Sequence, residues 1–297
     1  MKSGIVVLKK EEGITSQGAV NRVKRLFGVD KAGHTGTLDP LATGVLPVLI
    51  GRGVKASEYM LSSDKYYRAT LLLGITTDTE DVTGQALTEC NDIPNEDVVL
   101  SAIASFVGVS KQIPPMYSAL KVGGKKLCDL AREGKEIERD ARDITIHSIT
   151  AKRVDERRYT LDVHCSKGTY IRTLCADIGK KLGTGGVMET LERTKASVFT
   201  LDDAKTISEL EAMSESERKT VIYPIEYVFA DLEKVYLEPF FARLARCGVE
   251  IYLKKIGLGL PEGTRVTIFD EYGFFALGEV REFDTGLAIK PIKQFDV

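Results

Sequence analysis

The sequence predicts an α/β (α+β) chain: a long segment in which strand and helix signals alternate, followed by a small β domain. Three observations carry this. The chain has 297 residues, enough for one large domain with a smaller one attached. Its 43% hydrophobic and 28% charged residues describe an ordinary folded protein with a packed core. Near residue 230 mixed elements give way to short, evenly spaced strands, the pattern of a small barrel.

Taken in order, residues 4–8 read as a short buried strand. Ser16 is expected to cap a helix through Phe27, with Val20, Val23 and Phe27 on its apolar face and Gly28 ending it. Residues 44–50 read as a strand in which Pro47 implies an edge or a bulge. Residues 54–61 look helical and 66–73 extended. The acidic stretch 76–84 lacks the EF-hand spacing and is expected to be a solvated loop. Asn95 should cap a helix carrying Val98, Val99, Ile103 and Phe106. The prolines of 113–118 exclude regular helix there.

Residues 121–142 mix lysines and arginines with acids. They read either as a solvated helical hairpin or as a flap that grips phosphates. Residues 143–154 and 158–166 alternate as two antiparallel strands. Leu161, Val163 and Cys165 fall on one face, and Thr160, Asp162 and His164 on the other. Residues 170–182 form a helix with Ile171, Leu174, Cys175 and Ile178 inward, and a glycine turn leads on through Arg193. Residues 213–219 are a surface stretch. Beyond 230, a helix over 239–247 precedes strands near Ile251, 266–269, 274–280 and 287–291.

Several classes are excluded. No apolar run reaches the ~20 residues of a membrane span, and the N-terminus reads as a strand rather than a signal peptide. Cys90, Cys128, Cys165, Cys175 and Cys247 are odd in number and form no C-x-x-C, which suits a reducing cytoplasm. His34, His147 and His164 show no metal-ligand spacing, and His164 is expected to pack rather than ligate, so no metal is expected. Phosphate-binding glycine motifs are missing, so no nucleotide cofactor is expected. The net charge of −2 argues against a nonspecific polyanion binder.

The run Gly33-His34-Thr35-Gly36-Thr37-Leu38-Asp39-Pro40-Leu41-Ala42-Thr43-Gly44 is unlike a core segment. Its glycines allow close backbone approach, and Pro40 stiffens the chain around one carboxylate. An Asx-turn centred on Asp39 is the competing reading. This run resembles the catalytic loop of the TruB family of tRNA pseudouridine synthases. The resemblance extends to Asp64-Lys65-Tyr66-Tyr67-Arg68, Leu73-Gly74, Thr77-Asp78-Thr79 and the proline segment 113–120 that leads into Lys121–Lys126. It continues through Ser166-Lys167-Gly168-Thr169-Tyr170-Ile171-Arg172 and Leu191-Glu192-Arg193-Thr194. Glu189 and Cys128 depart from the family's usual basic residue and tyrosine.

The resemblance implies a pseudouridine-synthase-like fold with a mixed, mostly antiparallel sheet and flanking helices. Residues 1–230 would be the catalytic domain, with an RNA-binding thumb over 121–142, and 231–297 a PUA-like RNA-binding domain. It implies isomerisation of uridine 55 in the T-arm of tRNA by a cytoplasmic monomer that needs no cofactor. Asp39 would be the catalytic carboxylate, ionised at neutral pH, and Arg172 its bidentate partner. Tyr67 would stack on the uracil and is a candidate for removing its C5 proton. Tyr170 and Leu191 would line the pocket, His34 would fill the space of the flipped nucleotide, and Lys121, Lys125 and Lys126 would hold phosphates. Two rivals remain at this stage. One is an RNA-binding protein without catalysis. The other is a glycosidase, which requires a second carboxylate beside Asp39.

Overall fold

Two sheets organise the chain in a computed structural model that describes residues 3–295, apart from the side chains of Lys121 and Lys126. The first sheet has ten strands. Along its main path they run Ile222–Tyr223, Gly4–Lys10, Thr43–Ile50, Gly186–Ala196, Lys65–Leu73, Arg158–Cys165, Arg142–Arg153 and Gly108–Gln112. Ala32–His34 and Phe199–Thr200 pair off this path. All its pairings are antiparallel except the short one in which Glu192 faces Thr43 and Arg193 faces Gly44. The mixed, mostly antiparallel sheet expected from the sequence is thus present.

Both faces are covered, which explains why strand 4–10 reads as a continuous apolar run rather than an alternating one. Val6 and Leu8 join a cluster with Ala19, Val20, Val23 and Phe27 of the helix Ser16–Phe27. Ile5 and Val7 face the other way, against Met60, Phe199 and Ala204. The helix Ile171–Leu182 buries Ile171, Leu174, Cys175 and Ile178 in the first cluster. It approaches strand 186–196 so closely that a Cβ on Gly179 would collide with the Gly186 nitrogen. Only glycine permits that approach, and it fixes the helix that carries Arg172.

Several local expectations are corrected. The N-cap of the first helix is Thr15, whose Oγ1 accepts from the Gly18 N–H at 3.0 Å, not Ser16. Pro47 lies in an interior strand without a bulge. Its carbonyl accepts from the Thr35 N–H, so its missing N–H points to the side where the neighbour changes from 32–34 to 186–196. No ladder bond is lost there. Val98 is exposed, and the helix Glu96–Ala104 buries Val99, Ala102 and Ile103 instead. Residues 121–142 form a short hairpin of Lys121–Val122 with Lys125–Lys126, one helix over Leu127–Arg132, and a strand beginning at Arg142, not a helical hairpin. The segment through Arg193, for which the sequence predicts no element, is a strand over Gly186–Ala196.

The second sheet draws on 233–294. Its order is Glu233–Tyr236, Arg265–Asp270, Gly273–Phe283, Gly286–Gln294 and Ile251–Tyr252, with the helix Pro239–Arg246 packed on its core. Its first and last strands share no ladder among the described residues, so it is a curled open sheet rather than a closed barrel. An aromatic seam joins it to the first sheet's neighbourhood, where Ala56, Ile225 and Phe229 meet Phe269, Phe274, Leu277 and Phe295.

Candidate active site

Between the strands Ala32–His34 and Thr43–Ile50 the chain forms a loop whose main chain is tied from several directions. The Ser16 hydroxyl donates to the Leu38 carbonyl and accepts from the Leu38 N–H, both at 2.8 Å. The buried Lys10 ammonium donates to the carbonyls of Ala42 and Pro40 at 2.5 and 3.2 Å. The Gly13 N–H also reaches the Pro40 carbonyl, at 2.8 Å. The Arg193 guanidinium donates to the Gly36 and Val45 carbonyls at 3.1 and 2.7 Å. Gly44 closes the loop at φ +101°, and a Cβ there would run into the Arg193 carbonyl oxygen. No other residue type fits that contact.

Asp39 is therefore held by backbone anchors, and its carboxylate is left to other work. The turn it begins is closed by the main chain, Ala42 N–H to Asp39 carbonyl at 3.1 Å, whereas Oδ2 is 3.0 Å from Arg172 Nε. This ion pair takes the carboxylate away from an Asx-turn. Arg172, in the first turn of helix 171–182, is buried although charged. The expected bidentate pair is not formed. Only Nε meets Asp39, while Nη1 donates to the Thr79 carbonyl at 3.2 Å and Nη2 to the Tyr117 carbonyl at 2.6 Å.

Asp81 lies 3.6 Å from Arg172 Nη1. The acidic stretch 76–84 is thus not merely a solvated loop, because Asp81 is buried within it. One of its oxygens accepts from Thr79 Oγ1, the Thr83 N–H and Thr83 Oγ1 at 2.9, 2.9 and 2.5 Å. This second carboxylate is occupied by donors and stands outside the cavity that Tyr67 lines. It borders the adjoining space that Asp39 and Arg172 also line, but its oxygens are held by Thr79, Thr83 and Arg172, which commits it to anchoring Arg172 and not to the acid–base work a glycosidase requires.

Five predicted residues meet at one cavity of about 310 Å³: Asp39, Tyr67, Tyr170, Arg172 and Leu191. The strand register explains part of this. Tyr67 faces Arg193, and Leu191 faces Ala69, across paired strands. Leu191 and Arg193 stand two apart in an unbroken stretch of register, so they share a face and line the same wall. Tyr170 caps helix 171–182, and Gln112 clamps its main chain, accepting from its N–H at 2.8 Å and donating to its carbonyl at 3.0 Å. His34 does not line this cavity. It borders an adjoining space of about 600 Å³ on the other side of the loop, which Asp39 and Arg172 also line. Lys125 is exposed on the 121–126 hairpin and does not line the cavity. The side chains of Lys121 and Lys126 lie outside the described residues. In the same segment Arg132, Lys135 and Arg139 pair with Asp129, Glu133 and Glu136.

Burial pushes the Asp39 carboxyl above its ordinary range. Arg172 and Lys10 oppose that shift, and Asp81 adds to it. Burial likewise raises the Tyr67 hydroxyl, against the pull of Arg193, and raises Tyr170. It lowers His34, with Arg193 adding to the effect, so the imidazole is kept neutral. Lys10 and Lys65 are each lowered to about 8, again chiefly by burial. Sequence reasoning missed the roles of Lys10, Ser16, Asp81 and Gln112. None lies in a motif with Asp39, and only the fold brings Lys10 and Ser16 to its loop, Asp81 to Arg172 and Gln112 to Tyr170. Among the described residues, the cluster with donors for a metal ion, Asp64 with His147 and His164, stands outside this cavity.

Residues 24–171 match the model of the TruB family pseudouridylate synthase N-terminal domain, and residues 172–230 that of the tRNA pseudouridylate synthase B C-terminal domain. The chain is 43% identical over 284 residues to a tRNA pseudouridine synthase B of Alkaliphilus oremlandii, covering 95% of this chain and 94% of that protein. The chain belongs to the TruB family. It is 40% identical over 298 residues to the tRNA pseudouridine synthase B of Francisella tularensis subsp. novicida, covering 99% of this chain and 95% of that protein. A chain of a crystal structure of a Cbf5-Nop10-Gar1 complex superposes with a TM-score of 0.69 at 26% identity, covering 98% of this TruB-family chain and 84% of that one. The junction between the two family models falls at the start of helix 171–182, inside the first sheet's core rather than at a structural boundary.

Proposed function

We propose that this chain isomerises uridine 55 in the T-arm of tRNA to pseudouridine, with Asp39 as the catalytic carboxylate. The coarser activity, tRNA pseudouridine synthesis, is that named for relatives 40–43% identical over most of the chain. The observation that supports the role of Asp39 is the meeting of Asp39, Arg172, Tyr67, Tyr170 and Leu191 around one cavity, with the carboxylate paired to a buried guanidinium; position 55 and the T-arm rest on the family resemblance.

The reaction breaks the bond from C1′ to N1 and forms one from C1′ to C5. The proton lost from C5 is balanced by one gained at N1, so neither redox chemistry nor a phosphate is required. A stacked uridine must first leave its helix, which costs a few kcal/mol. In this proposal Tyr67 and Leu191 take up its base. Arg172 keeps Asp39 ionised and aimed, and Asp39 then attacks C1′, attacks C6, or removes a sugar proton. The raised Tyr67 hydroxyl suits stacking and hydrogen bonding better than service as a standing phenolate base. His34 borders the space next to the loop, where the displaced nucleotide's neighbours would pass. Lys121, Lys125 and Lys126, with residues 231–297, whose strands between 233 and 294 form the curled sheet, as a PUA-like module, would hold the phosphates.

The proposal extends to a cytoplasmic monomer that works without a nucleotide cofactor. Among the described residues no helix is long and apolar enough to cross a membrane.

The test is tritium release from an unmodified tRNA transcript carrying [5-³H]uridine. Wild type should release label from position 55, and Asp39→Asn should release none while binding the transcript within about tenfold of wild type. Full turnover by Asp39→Asn would refute its catalytic role. Release mapped to another position would refute the T-arm assignment.

A further inference from the structure

Three neighbouring strands of the first sheet, 65–73, 158–165 and 142–153, bring together a group that the isomerisation does not use. His164 pairs with Tyr66, and the two rings stack with centroids 4.0 Å apart and planes 8° apart. On its other side, His164 pairs with Ser148 and Cys165 with Ile146, which leaves His147 as the extra residue of a β-bulge. A bulge re-aims a side chain relative to the pleat, and here the His147 ring comes to 4.5 Å from that of His164. Asp64, just before strand 65–73, turns Oδ2 toward both. It is 3.1 Å from Nε2 of His147 and 3.4 Å from Nε2 of His164. The adjacent Lys65 ammonium does not compete, because it donates to the carbonyls of Met60, Leu61 and Ser63.

We infer that Asp64, His147 and His164 form a binding site for a divalent transition ion of the Zn²⁺ type. Two imidazoles and one carboxylate suit such an ion, whereas Ca²⁺ and Mg²⁺ select oxygen ligands. Bond lengths of about 2.0–2.2 Å to nitrogen and oxygen set the edge of a tetrahedral site at roughly 3.4 Å. The two observed N···O separations already lie close to that edge, and the ligand atoms all fall within 4.8 Å of one another. The side chains are 44%, 37% and 24% exposed, so an ion arrives from solvent without opening the fold. Three protein ligands leave one coordination position for water. Each imidazole binds through Nε2 and carries its proton on Nδ1. The ion would tie together three neighbouring strands, two of which run on into residues Lys65, Tyr67 and Ser166 that line the catalytic cavity. Its role is to brace that wall, and it takes part in no step of the isomerisation.

The experiment is titration of chelator-treated full-length protein with Zn²⁺ by calorimetry and with Co²⁺ by visible absorption. Wild type should bind one ion per chain, and Zn²⁺ should raise its unfolding temperature. His147→Ala/His164→Ala should weaken binding by at least about tenfold and lose the thermal shift, while keeping the wild-type circular dichroism spectrum and turnover. His164→Cys, which replaces nitrogen by a thiolate ligand, should retain binding. The inference is overturned if folded wild type binds neither ion. It is equally overturned if the double variant binds Zn²⁺ as tightly as wild type, which would place the ion on another group such as the exposed Cys247.

Discussion

Replacing Arg172 by methionine separates the two jobs this residue performs. Its guanidinium is 5% exposed and lies between Asp39 at 3.0 Å and Asp81 at 3.6 Å. Methionine fills much of the same volume but leaves the 7%-exposed Asp81 carboxylate without its cation and closer in effect to a second negative charge. Removing one partner of a buried pair costs about 3–5 kcal/mol. Asp39, at 35% exposure, adds little to that sum because solvent screens it. The decisive comparison is Asp81→Asn in the two backgrounds. With Arg172 present, the change removes a charge partner and costs roughly 1–3 kcal/mol. In the Arg172→Met background, the same change removes an uncompensated buried charge and recovers about 1–3 kcal/mol. Urea unfolding of wild type, both single variants and the double variant gives the four free energies, with m-values expected to agree. If Asp81→Asn is equally destabilising in both backgrounds, the two carboxylates do not share Arg172 in the way described, and the reasoning fails.

Three further outcomes are expected. Gly44→Ala places a side chain at φ +101° against the Arg193 backbone. The strain alone costs about 1–2 kcal/mol, so a urea midpoint equal to that of wild type would show that the loop and strand 186–196 are not in the described contact. Ser16→Ala strips both the donor and the acceptor from Leu38. It should cost roughly 1–3 kcal/mol of stability and lower kcat more than it raises KM, as single-turnover and steady-state tritium release would report. Lys10 and Lys65, lowered to about 8, lose their charge in the folded protein well below the value for an unfolded lysine. Between those two values the unfolded chain binds more protons, so this source makes stability rise with pH. Activity should fall above pH 8 as the cation beside Asp39 is lost. Lys10→Arg should move that alkaline limb upward, and a limb unmoved in that variant would assign it elsewhere.

Much of the site was legible because its residues lie in compact local motifs. Asp39 stands in a run of glycines and threonines that no packing role requires, and Tyr170 and Arg172 are near neighbours at a helix start. Strand alternation correctly separated Leu161, Val163 and Cys165 from Thr160, Asp162 and His164. What was not legible depends on tertiary neighbours. Thr15 and Ser16 are equally good caps by composition, and only the approach of Leu38 decides that Ser16 is drawn away to the loop. Asp81 looked solvated because nothing local to it supplies the arginine, which comes from residue 172. Pro47 broke a strand rule that holds where both edges are paired along their length, and here one edge changes partner at that residue. His147 and His164 lie on different strands, each far in sequence from Asp64, and the three converge through a bulge that periodicity does not register.

The anchors of the Asp39 loop have a consequence for how such a protein can change. Ser16, Lys10, Gly13 and Arg193 all grip main-chain atoms of residues 36–42, and none depends on which side chains the loop carries there. Position and lining are therefore separable properties. Leu38 is packed into the core, but the side chain of Thr37, which is exposed and lines the cavity, is open to substitution that reshapes what the pocket accepts while the carboxylate keeps its place. Selection for a different RNA context can act on the wall of the cavity without disturbing the reaction it encloses.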